Sequence, residues 1–596
     1  MKIKQSLYVL FFGVIGVTIY YLAPNNSNES RREQHKEFLN QTTYAKTRNL
    51  SRSERKSFGA PPNAYFEREF YLNMNPNLGY PTPEKISELQ YRLKESNLQG
   101  KFPGEDDASK WTERGPNNVG GRTRAVLFDP NDSSNKRVFA GGVSGGLWVN
   151  EDITDQNQPW SLVDDVPTNM SVSCITVDPN NSNILYLGTG ELYTSGAVTG
   201  DGVYKSTDGG NSWTNIFGGS TGETQVGESQ MTIPGRYFVQ DILAWDNNGE
   251  TKVFAAIGAS YFGEGSFFQN GQSFAAFLGG GDEYGVYHSD DSGSSWEKTA
   301  IPLNGCSREH QPNDFELAPD NSIWMSTTRN YFGDIGGTIF KSTDGVTFEE
   351  VTTISNLRRT EIEISSQDPD KIMILAQRND NGRPTVIKTV DGFLSTTTLP
   401  LPNDSDNGIS ADDFTRGQAF YDLVIEMDPN DDDIVYLGGI DLFRSANGGQ
   451  SYQQISKWSN NPGLNTLPVS LVHADQHAMT FRPGNSNEAI FGNDGGVFYA
   501  TDLANAPFVD NTQVRNLNYN VTQFYHGGIA PNSSEEYFLG GTQDNGTPYF
   551  SGEELNPNSP SPSIDISGGD GAYSFVDQVG EDYIVFNYVY NNAVQL

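Results

Sequence analysis

The chain has 596 residues, of which 75 are acidic and 39 are basic, so its formal net charge is −36. Such an acidic surface repels phosphate backbones and argues against nucleic acid as a partner. The 63 glycines and 30 prolines are too many for a helical protein, and the only two cysteines exclude a disulfide scaffold or a cysteine-rich metal site. The composition indicates a large, acidic, β-rich protein.

The N-terminus has the sequence features of an export signal. Lys2 and Lys4 precede an apolar stretch from Leu7 to Ala23. This order is typical of a signal peptide or of an N-terminal membrane anchor. We therefore predict that residues 1–24 direct export across the inner membrane, and that the protein is secreted or held at the cell surface. Any contact with the membrane is expected through this segment only.

A polar region separates the signal from the rest of the chain. Residues 25–110 are rich in Asn, Ser, Arg and Glu, and we predict a tether with little fixed structure. One helix is expected at about 82–97. There Thr82 can cap the helix, Pro83 suits its first position, and apolar residues recur at helical spacing.

From Trp111 onwards the chain repeats one pattern of four short strands. An apolar strand ends in a turn such as DPND, a second strand such as ILYLGTG follows, and a glycine-containing loop leads to a third strand such as GVYKS. The third strands begin near Leu147, Val203, Val286, Ile339, Val386, Leu442 and Val497. A unit of four strands that recurs about every 58 residues predicts an all-β protein of the β-propeller class.

The repeats leave two alternatives for the number of blades. Seven units span residues 111–530, and partial units follow at 537–550 and 583–592. We favour a seven-bladed ring followed by further, incomplete units over residues 531–596. The alternative is a single ring of about ten blades, as in sortilin-like proteins.

The turn after the third strand carries a motif of its own, Ser-x-Asp-x-Gly-x-Ser-Trp. Its key residues are Ser206, Asp208, Gly210 and Trp213 in one full copy, and Ser289, Asp291, Gly293 and Trp296 in the other. Weaker copies begin at Ser342 and Ser445. A ring has one centre and many turns, so repetition predicts a structural role. The Asp and Ser side chains can bond the turn's own amides, glycine supplies its dihedral angles, and the aromatic ring packs between blades.

This motif resembles the Asp-box, or bacterial neuraminidase repeat, of sialidases, sortilins and some glycoside hydrolases. Longer segments, such as RGPNNVGGRTRAVLFDPND, HADQHAMTFRP and GNDGGVF, resemble secreted Bacteroidetes proteins described as sortilin-like or glycosyl-hydrolase-like. The resemblance implies an extracellular propeller. It does not carry over a catalytic set, since the Phe/Tyr-Arg-Ile-Pro motif of sialidases is absent from the sequence.

Candidate functional residues lie at the blade ends opposite these turns, around the mouth of the central channel. The second-to-third loops and the starts of the first strands supply Arg122, Arg124, Glu191, Asp241, Asp314, Asp422, His473, Asp475, His477, Asn493, Asp494, His526, Gln543, Asp544, Asn545 and Asp570. Among them, the predicted ligand-binding residues are Arg122, Glu191, His473, His477, Asn493 and Gln543. Insertions at 218–237 and 261–283 lie on the same side. In the second, Tyr261 and Phe262 would stack on sugars, or the loop packs on its own aromatic rings as a lid.

The segment His473-Ala-Asp475-Gln-His477 is the most distinctive local feature. On a strand, residues two apart point the same way, so these three side chains would face the channel together. Two imidazoles and a carboxylate could hold a divalent metal ion, could transfer protons near neutral pH, or could form a hydrogen-bonded lining of the channel. No other cofactor is indicated. We further predict that these three residues share one pocket with Asp494 and Asp544.

Three functional classes follow from this pattern. The leading hypothesis is an extracellular propeller that binds glycan or protein at its channel mouth, because no catalytic motif is complete. The alternative is a glycoside hydrolase acting on polysaccharide, in which two of Asp422, Asp475, Asp494 and Asp544 serve as acid and base. The third is a surface organiser whose partners are proteins only.

Overall fold

The computed structural model describes residues 28–41, most of residues 113–595 and, between them, 51, 54, 74–75 and 80–81. Within 113–595 the gaps are 168–169, 194–199, 219–222, 227–230, 235–237, 259, 270–271, 279–283, 307, 331–332, 335, 532–536, 551–559, 581–582 and 590–592. The predicted signal or anchor over 1–24 and the predicted helix at about 82–97 lie outside the described residues. In the part that is described, no helix is long and apolar enough to cross a membrane.

The chain divides into two compact units, of which one comprises Met1–Ile86 and Gly265–Ala275. Its described elements outside 265–275 are helix α1 (Asn28–Gln41) and the antiparallel strands β1 (Met74–Asn75) and β2 (Tyr80–Pro81). Helix α1 lies in the segment that was expected to have little fixed structure. Its Glu, Gln, Lys and Arg residues favour helix, and Glu33 pairs with Lys36 one turn away.

The other unit, Ser87–Glu264 and Ala276–Leu596, is built from antiparallel sheets. Sheet 1 consists of β3 (Thr123–Phe128), β4 (Val138–Gly142), β5 (Leu147–Asn150) and β6 (Trp160–Leu162). Sheet 2 consists of β7 (Val172–Val177), β8 (Leu185–Thr189), β9 (Gly202–Ser206) and β10 (Thr214–Gly218). In both sheets each strand pairs with the strand that follows it in the chain, as a propeller blade requires.

Sheet 3 is accompanied by two hairpins. The chain runs through the first hairpin, β11 (Glu223–Val226) and β12 (Met231–Pro234), then β13 (Phe238–Asn247) and β14 (Glu250–Gly258), the second hairpin, β15 (Ser260–Gln269) and β16 (Gln272–Leu278), and finally β17 (Gly285–Ser289) and β18 (Glu297–Lys298). Sheet 3 itself has the order β13-β14-β17-β18. Both predicted insertions therefore contain paired strands where loops were expected, consistent with their many aromatic and β-branched residues.

Sheets 4 and 5 share one long strand. The chain forms β19 (Gln311–Leu317), β20 (Ile323–Thr328), β21 (Gly336–Ser342), β22 (Glu349–Ile364), β23 (Ile372–Arg378), β24 (Pro384–Thr389) and β25 (Thr397–Leu399). The first part of β22 pairs with β21, and its second part pairs with β23. This strand is therefore the last of sheet 4 and the first of sheet 5.

Sheets 6 and 7 complete the series. Sheet 6 consists of β26 (Val424–Asp428), β27 (Asp431–Gly438), β28 (Leu442–Ser445) and β29 (Gln453–Gln454). A parallel pair, β30 (Ser456–Lys457) and β31 (Ser470–Leu471), flanks a short 3-10 helix at Leu464–Thr466. Sheet 7 consists of β32 (Gln476–Arg482), β33 (Asn485–Asn493), β34 (Gly496–Ala500) and β35 (Thr512–Val514). Strands occur at all seven predicted third-strand positions, and the β-propeller prediction is confirmed.

The seven sheets follow one another in a cycle. The first strand of each sheet contacts the first strand of the next, and β3 of sheet 1 contacts β32 of sheet 7. A buried apolar cluster lies between each pair of neighbours; the cluster between sheets 7 and 1 includes Val138, Trp160, Ile490 and Tyr519. Each blade thus buries its faces against its neighbours, which explains why a single blade would not be stable alone.

Two further sheets follow the cycle. Sheet 8 consists of β36 (Phe524–Ile529), β37 (Phe538–Thr542), β38 (Pro548–Phe550) and β39 (Ile564–Asp565), and sheet 9 of β40 (Gly571–Val576), β41 (Ile584–Tyr588) and β42 (Ala593–Gln595). They pack on each other through Leu539, Val576 and Phe586. The cyclic contacts are those expected of the seven-bladed alternative, and seven blades remain our prediction for this chain.

Candidate functional site

The strand register defines two ends of every sheet. In sheet 7, Gln476 pairs with Asn493 and Asn493 pairs with Gly496, so the first strand begins, the second ends and the third begins at one end, which we call the mouth end. In sheet 2, Ser206 at the end of the third strand pairs with Leu185 at the start of the second. The turns after the third strands therefore lie at the opposite end, which we call the turn end.

At the turn end, the aspartates of the repeated motif hold their own turns. Asp208 accepts hydrogen bonds from the Ser206 hydroxyl, at 2.9 Å, and from the Ser212 backbone amide, at 2.9 Å. The Gly210 amide donates to the Ser206 hydroxyl at 2.9 Å. The copy at Ser289 and Asp291 repeats these contacts, with the Ser295 amide at 2.7 Å. All of these groups bond within the turn, which favours a structural role.

The aromatic residues of the motif pack as expected. Trp213 is buried among the side chains between sheets 1 and 2. Trp296 packs on Phe217, with 4.8 Å between the ring centroids. The structure also shows a copy that the sequence pattern missed. Asp391 accepts from the Thr389 hydroxyl and the Ser395 amide at 2.8 and 2.9 Å, although threonine replaces the usual serine.

At the mouth end, six predicted or neighbouring residues form one bonded group, the mouth cluster: Arg122, Glu191, Tyr421, His477, Asp494 and Asp544. Arg122 is at its centre. Its guanidinium lies 2.9 Å from Glu191, 3.3 Å from Asp494 and 3.8 Å from Asp544. Arg122 and Glu191 were predicted to bind ligand, but both are buried and are satisfied by each other and by their neighbours.

A second arginine strengthens the same group. Arg124 donates from Nε to the second carboxylate oxygen of Glu191 at 2.6 Å. Its guanidinium lies 4.9 Å from the ring centre of Tyr193 and 5.0 Å from that of Tyr421. Arg359 lies on the Tyr193 ring at 4.0 Å. Stacked, ion-paired guanidinium groups of this kind fix the positions of the side chains around them.

His477 and Asp494 form the polar core of the mouth cluster. His477 Nε2 lies 2.6 Å from Asp494 Oδ1, and the Tyr421 hydroxyl lies 2.7 Å from both oxygens of the same carboxylate. The positive charge of Arg122 and these hydrogen bonds hold the pKa of Asp494 well below its usual range, despite burial. Burial and the charge of Arg124 lower the pKa of His477 to about 4. A neutral His477 therefore donates a hydrogen bond from Nε2–H to an ionised Asp494.

The other predicted catalytic carboxyls have the opposite character. Burial, followed by the charge of Asp494, raises the pKa of Asp475 to about 8 and that of Asp544 to about 9. Burial, followed by the charge of Asp475, raises the pKa of Asp422 well above its usual range. Asp422 is fully buried, and neither carboxyl oxygen has a hydrogen-bond partner among the described residues. At neutral pH Asp475 and Asp544 therefore carry a proton, whereas Asp494 is ionised.

The prediction that residues 473, 475 and 477 alternate on one strand is wrong. Strand β32 begins at Gln476, and Asp475 has a φ of 65°, which breaks the alternation. Their partners consequently differ: His473 Nε2 lies 2.9 Å from the Asp544 carbonyl, Asp475 accepts from Gln418 at 3.0 Å, and His477 faces Asp494. In the described part of the chain, no group of three or more His, Cys, Asp or Glu side chains is arranged to hold a metal ion.

The remaining predicted residues lie around this cluster. Asn545 donates to the Asp494 carbonyl at 2.9 Å, and Asp570 accepts from the Asp544 amide at 3.0 Å. Asn493 is buried, and its side-chain Oδ1 accepts a hydrogen bond from the Gly495 amide at 3.0 Å. Gln543 directly follows β37 at the same end, where its backbone amide donates to the Gln523 carbonyl at 2.9 Å. The structure thus gathers His473, Asp475, His477, Asp494 and Asp544 around one bonded network.

Asp241 and Asp314 lie farther along the first strands, where they line a cavity of about 290 Å³. Each carboxylate accepts a backbone amide of the next sheet, from Phe315 and Ile362 respectively, both at 2.8 Å. His526 lies apart, bonded to the Ser574 carbonyl at 3.0 Å. The side chains of Tyr261 and Phe262 lie outside what the structure describes.

Two exposed aromatic rings border the mouth cluster. Phe420 is 41% exposed, and its ring lies 6.2 Å from that of Tyr421. Tyr525 is 53% exposed, and its pKa is raised to about 12 by partial burial and by the charges of Asp570 and Asp544. An exposed ring beside a carboxyl group is suited to a ligand with an apolar face and hydroxyl groups.

Several of these residues have no recognisable signal in the sequence. Gln418, Phe420 and Tyr421 come from the segment between β25 and β26, which shows no repeat and no motif. The only signal was the neighbouring Asp422, which was predicted from its place before a first strand. Tyr525 was also missed, although it directly precedes His526, which was predicted from its place at the start of a first strand.

No protein family model matches the chain. It is 26% identical to a xyloglucanase of Hypocrea jecorina (strain QM6a) over 230 residues, which are 38% of this chain and 24% of that protein. Its structure is similar to that of the GH74 xyloglucanase from Xanthomonas campestris, with a TM-score of 0.51 and 16% identity over 80% of this chain and 65% of the other. The chain thus spans about a quarter of the first relative and less than two thirds of the second. At this identity the structural similarity concerns the fold alone, which in both is built from β-propeller blades.

Proposed function

We propose that this protein binds a polysaccharide at the mouth end of its ring, and that xyloglucan is the first ligand to test. The observation that carries the proposal is the presence of two exposed rings beside the charged mouth cluster, with Phe420 next to Tyr421 and Tyr525 near Asp544. Sugars present apolar faces that pack on such rings, and their hydroxyl groups bond carboxyls. The partial identity to a xyloglucanase supports the choice of ligand.

Within this proposal, the buried members of the mouth cluster position the residues around them. Arg122 forms ion pairs with Glu191 and Asp494, and all three side chains are buried. Ligand contact falls instead to the rings and to Asp544, whose side chain is 28% exposed. Because Asp544 carries a proton at neutral pH, it can donate to a sugar oxygen as well as accept from a hydroxyl.

Binding is tested with the purified protein, by calorimetry and by gel retardation in xyloglucan, cellulose derivatives and an acidic polysaccharide. Tyr525→Ala and Phe420→Ala should each weaken xyloglucan binding about tenfold, or about 1.4 kcal/mol. The matched control is Phe508→Ala, because Phe508 is 60% exposed but lies in the turn-end loop between β34 and β35. Equal affinity in all four proteins would refute this site.

The second candidate is a glycoside hydrolase, and the contrast between carboxyls at the mouth favours it. Asp475 and Asp544 are protonated and could act as the acid, whereas Asp494 is ionised. Hydrolysis needs one acid and one base or nucleophile at a defined separation. Asp494 is already bonded to Arg122, His477 and Tyr421. Because these contacts occupy the carboxylate that would act as base or nucleophile, we rank binding first.

Release of reducing ends from xyloglucan separates the two candidates. Binding alone predicts no release above the background of a heat-treated sample. Hydrolysis predicts release that Asp475→Asn or Asp544→Asn abolishes, while Asp412→Asn, an exposed residue of the segment before β26, leaves it unchanged.

Export is part of the same proposal, because polysaccharide is met outside the cell. Residues 1–24, fused to a reporter that is active only after export, should bring it across the inner membrane. Replacement of Lys2 and Lys4 by glutamate should reduce that export. An inactive fusion would argue against a secreted or surface location.

A further inference from the structure

Three buried aspartates lie where the segment between β25 and β26, which carries Tyr421, meets sheet 6. Asp404 and Asp406 lie in the segment between β25 and β26, and Asp441 lies in the turn between β27 and β28. All three are almost or fully closed to solvent. Charged groups in such places need partners, so their hydrogen bonds decide which of them is ionised.

Asp406 and Asp441 are well supplied with donors. Asp406 accepts from the Gly408 amide at 2.8 Å and from the Trp458 indole at 3.0 Å. Asp441 accepts from the Ser456 hydroxyl at 2.9 Å and from the Gln454 amide group at 3.0 Å. Each of these two carboxyl groups therefore has hydrogen-bond donors that can stabilise a negative charge.

Asp404 is different. Its Oδ1 accepts the Asp406 amide at 2.7 Å, but its Oδ2 is buried and has no donor among the described residues. Its carboxyl group lies within hydrogen-bond reach of the Asp441 carboxyl, and Gln454 bridges the two segments through Ser405 and Asp441. Two carboxylates in contact, away from water, cannot both be ionised unless something positive lies between them.

We propose that Asp404 and Asp441 share one proton, and that this hydrogen bond is a pH-sensitive latch that holds the segment 400–423 against sheet 6. The segment delivers Gln418 to Asp475 and Tyr421 to Asp494, at 3.0 and 2.7 Å, so the latch acts on the mouth cluster. It is independent of whichever ligand the mouth binds.

The surrounding charges fit this reading. Among the described residues, the further charged group that acts on both carboxyls is Asp406, which is negative. The positive charge of Arg416 acts on Asp406 and partly offsets it. Burial raises the pKa of Asp404 to about 6, and burial together with the charge of Asp404 raises that of Asp441 well above its usual range. The pair therefore retains a proton to a higher pH than an isolated carboxyl group does.

The sign of the pH effect follows from linkage. Between the unfolded pKa of a carboxyl, about 4, and the raised folded values, the folded chain binds more protons than the unfolded chain. The contribution of the pair to stability therefore falls as the pH rises through this window. Asp404→Asn places a permanent amide donor against Asp441 and removes this proton, so its own contribution should no longer vary with pH.

The test compares the wild-type chain with Asp404→Asn between about pH 5 and pH 9. The wild type should lose more thermal stability than the variant as the pH rises, and hydrogen exchange in residues 402–421 should accelerate with pH in the wild type only, after correction for intrinsic rates. The infrared carbonyl band of protonated carboxyls should be smaller in the variant at neutral pH. Asp441→Asn serves as the second variant if Asp404→Asn does not fold, and Asp412→Asn is the exposed control in the same segment.

Two outcomes would overturn the proposal. Parallel pH profiles of melting and exchange in the wild type and both folded variants would show that no proton is shared. A melting temperature of the wild type that rises with calcium and falls with a chelator, with neither effect in Asp404→Asn, would show that a cation and not a proton lies between the carboxyls.

Discussion

At the scale of single residues, the mouth end depends on one buried cation. Arg122 is closed to solvent and faces three carboxyl groups, Glu191, Asp494 and Asp544. Among the described residues Asp494 has no second cation beside it, because His477 is neutral and Arg124 pairs with Glu191. Loss of Arg122 would leave this buried charge without compensation, which is more costly than breaking an exposed ion pair.

We therefore expect Arg122→Met to lower the free energy of unfolding by about 3–5 kcal/mol, since methionine keeps much of the volume but leaves the buried Asp494 carboxylate without a cation. The control is Arg383→Met, which breaks the exposed pair with Asp412 and should cost at most about 1 kcal/mol. Thermal and denaturant unfolding measure both. Equal losses in the two variants would contradict the role given to Arg122.

Below neutral pH, we expect the titration of His477 to lower the stability of the fold. Its pKa is lowered to about 4 by burial and by Arg124, below the usual value near 6.5, so the unfolded chain binds the proton more tightly than the folded chain. Stability is therefore full above about pH 6.5 and is lost as the pH falls towards 4, by about 3 kcal/mol at most. His477→Gln keeps a donor for Asp494 but does not titrate in this range. Its melting temperature should fall less between those pH values, and an unchanged slope would count against the assignment.

At the scale of elements, the turns after the third strands of sheets 2 to 6 are each held by an Asp or Asn side chain that accepts hydrogen bonds from backbone amides of the turn. The turn at Ser445 uses Asn447 in place of aspartate, and its Oδ1 still accepts the Ser451 amide at 3.0 Å. The oxygen, and not the charge, is thus the part of the side chain that the turn requires.

This comparison predicts that Asp208→Asn is nearly neutral, whereas Asp208→Ala costs about 1 kcal/mol, because alanine leaves the Ser212 amide without its acceptor. Neither change should alter ligand binding, since Asp208 is at the turn end. Thermal melting with xyloglucan binding as a second readout checks both statements. Loss of binding in Asp208→Asn with an unchanged melting temperature would instead indicate a direct functional role.

At the scale of the whole molecule, the contact between sheets 7 and 1 closes the cycle. Tyr519, in the segment that leaves sheet 7, is fully buried there; its ring lies 5.0 Å from Trp160, and its hydroxyl accepts from Thr123 at 3.1 Å. Tyr519→Ala should lower stability by about 3–5 kcal/mol, and Tyr519→Phe by about 1 kcal/mol.

Calorimetry tests whether the Tyr519 contact stabilises the whole ring of sheets. Because every apolar cluster is shared by two sheets, Tyr519→Ala should move the main unfolding transition and not a minor one. Phe508→Ala, at an exposed ring, is the matched control and should leave the transition in place. A separate early transition in Tyr519→Ala would mean that the sheets unfold independently.

Much of the fold was determined by the sequence alone, because its signals are local. Strand periodicity, the DPN turns and the Ser-x-Asp-x-Gly motif each lie within about ten residues, so the seven third strands and the end of each blade that faces the mouth could be read directly. Because they occupy the same end of their repeat units, the sequence also predicted that five residues lie near one another: His473, Asp475, His477, Asp494 and Asp544. The copy at Thr389 escaped because threonine and Phe393 replace the usual serine and glycine.

Only the tertiary structure decided what those residues do. The positive φ of Asp475 turns it away from the alternation that its neighbours predict, and the charge states of Asp475 and Asp494 differ because Arg122 contacts Asp494 across 372 residues of chain. Tyr421 and Asp404 come from a segment without a repeat, and their positions depend on contacts with Asp494 in sheet 7 and Asp441 in sheet 6. Ion pairing and burial depend on atoms far apart in the sequence, and no local pattern encodes them.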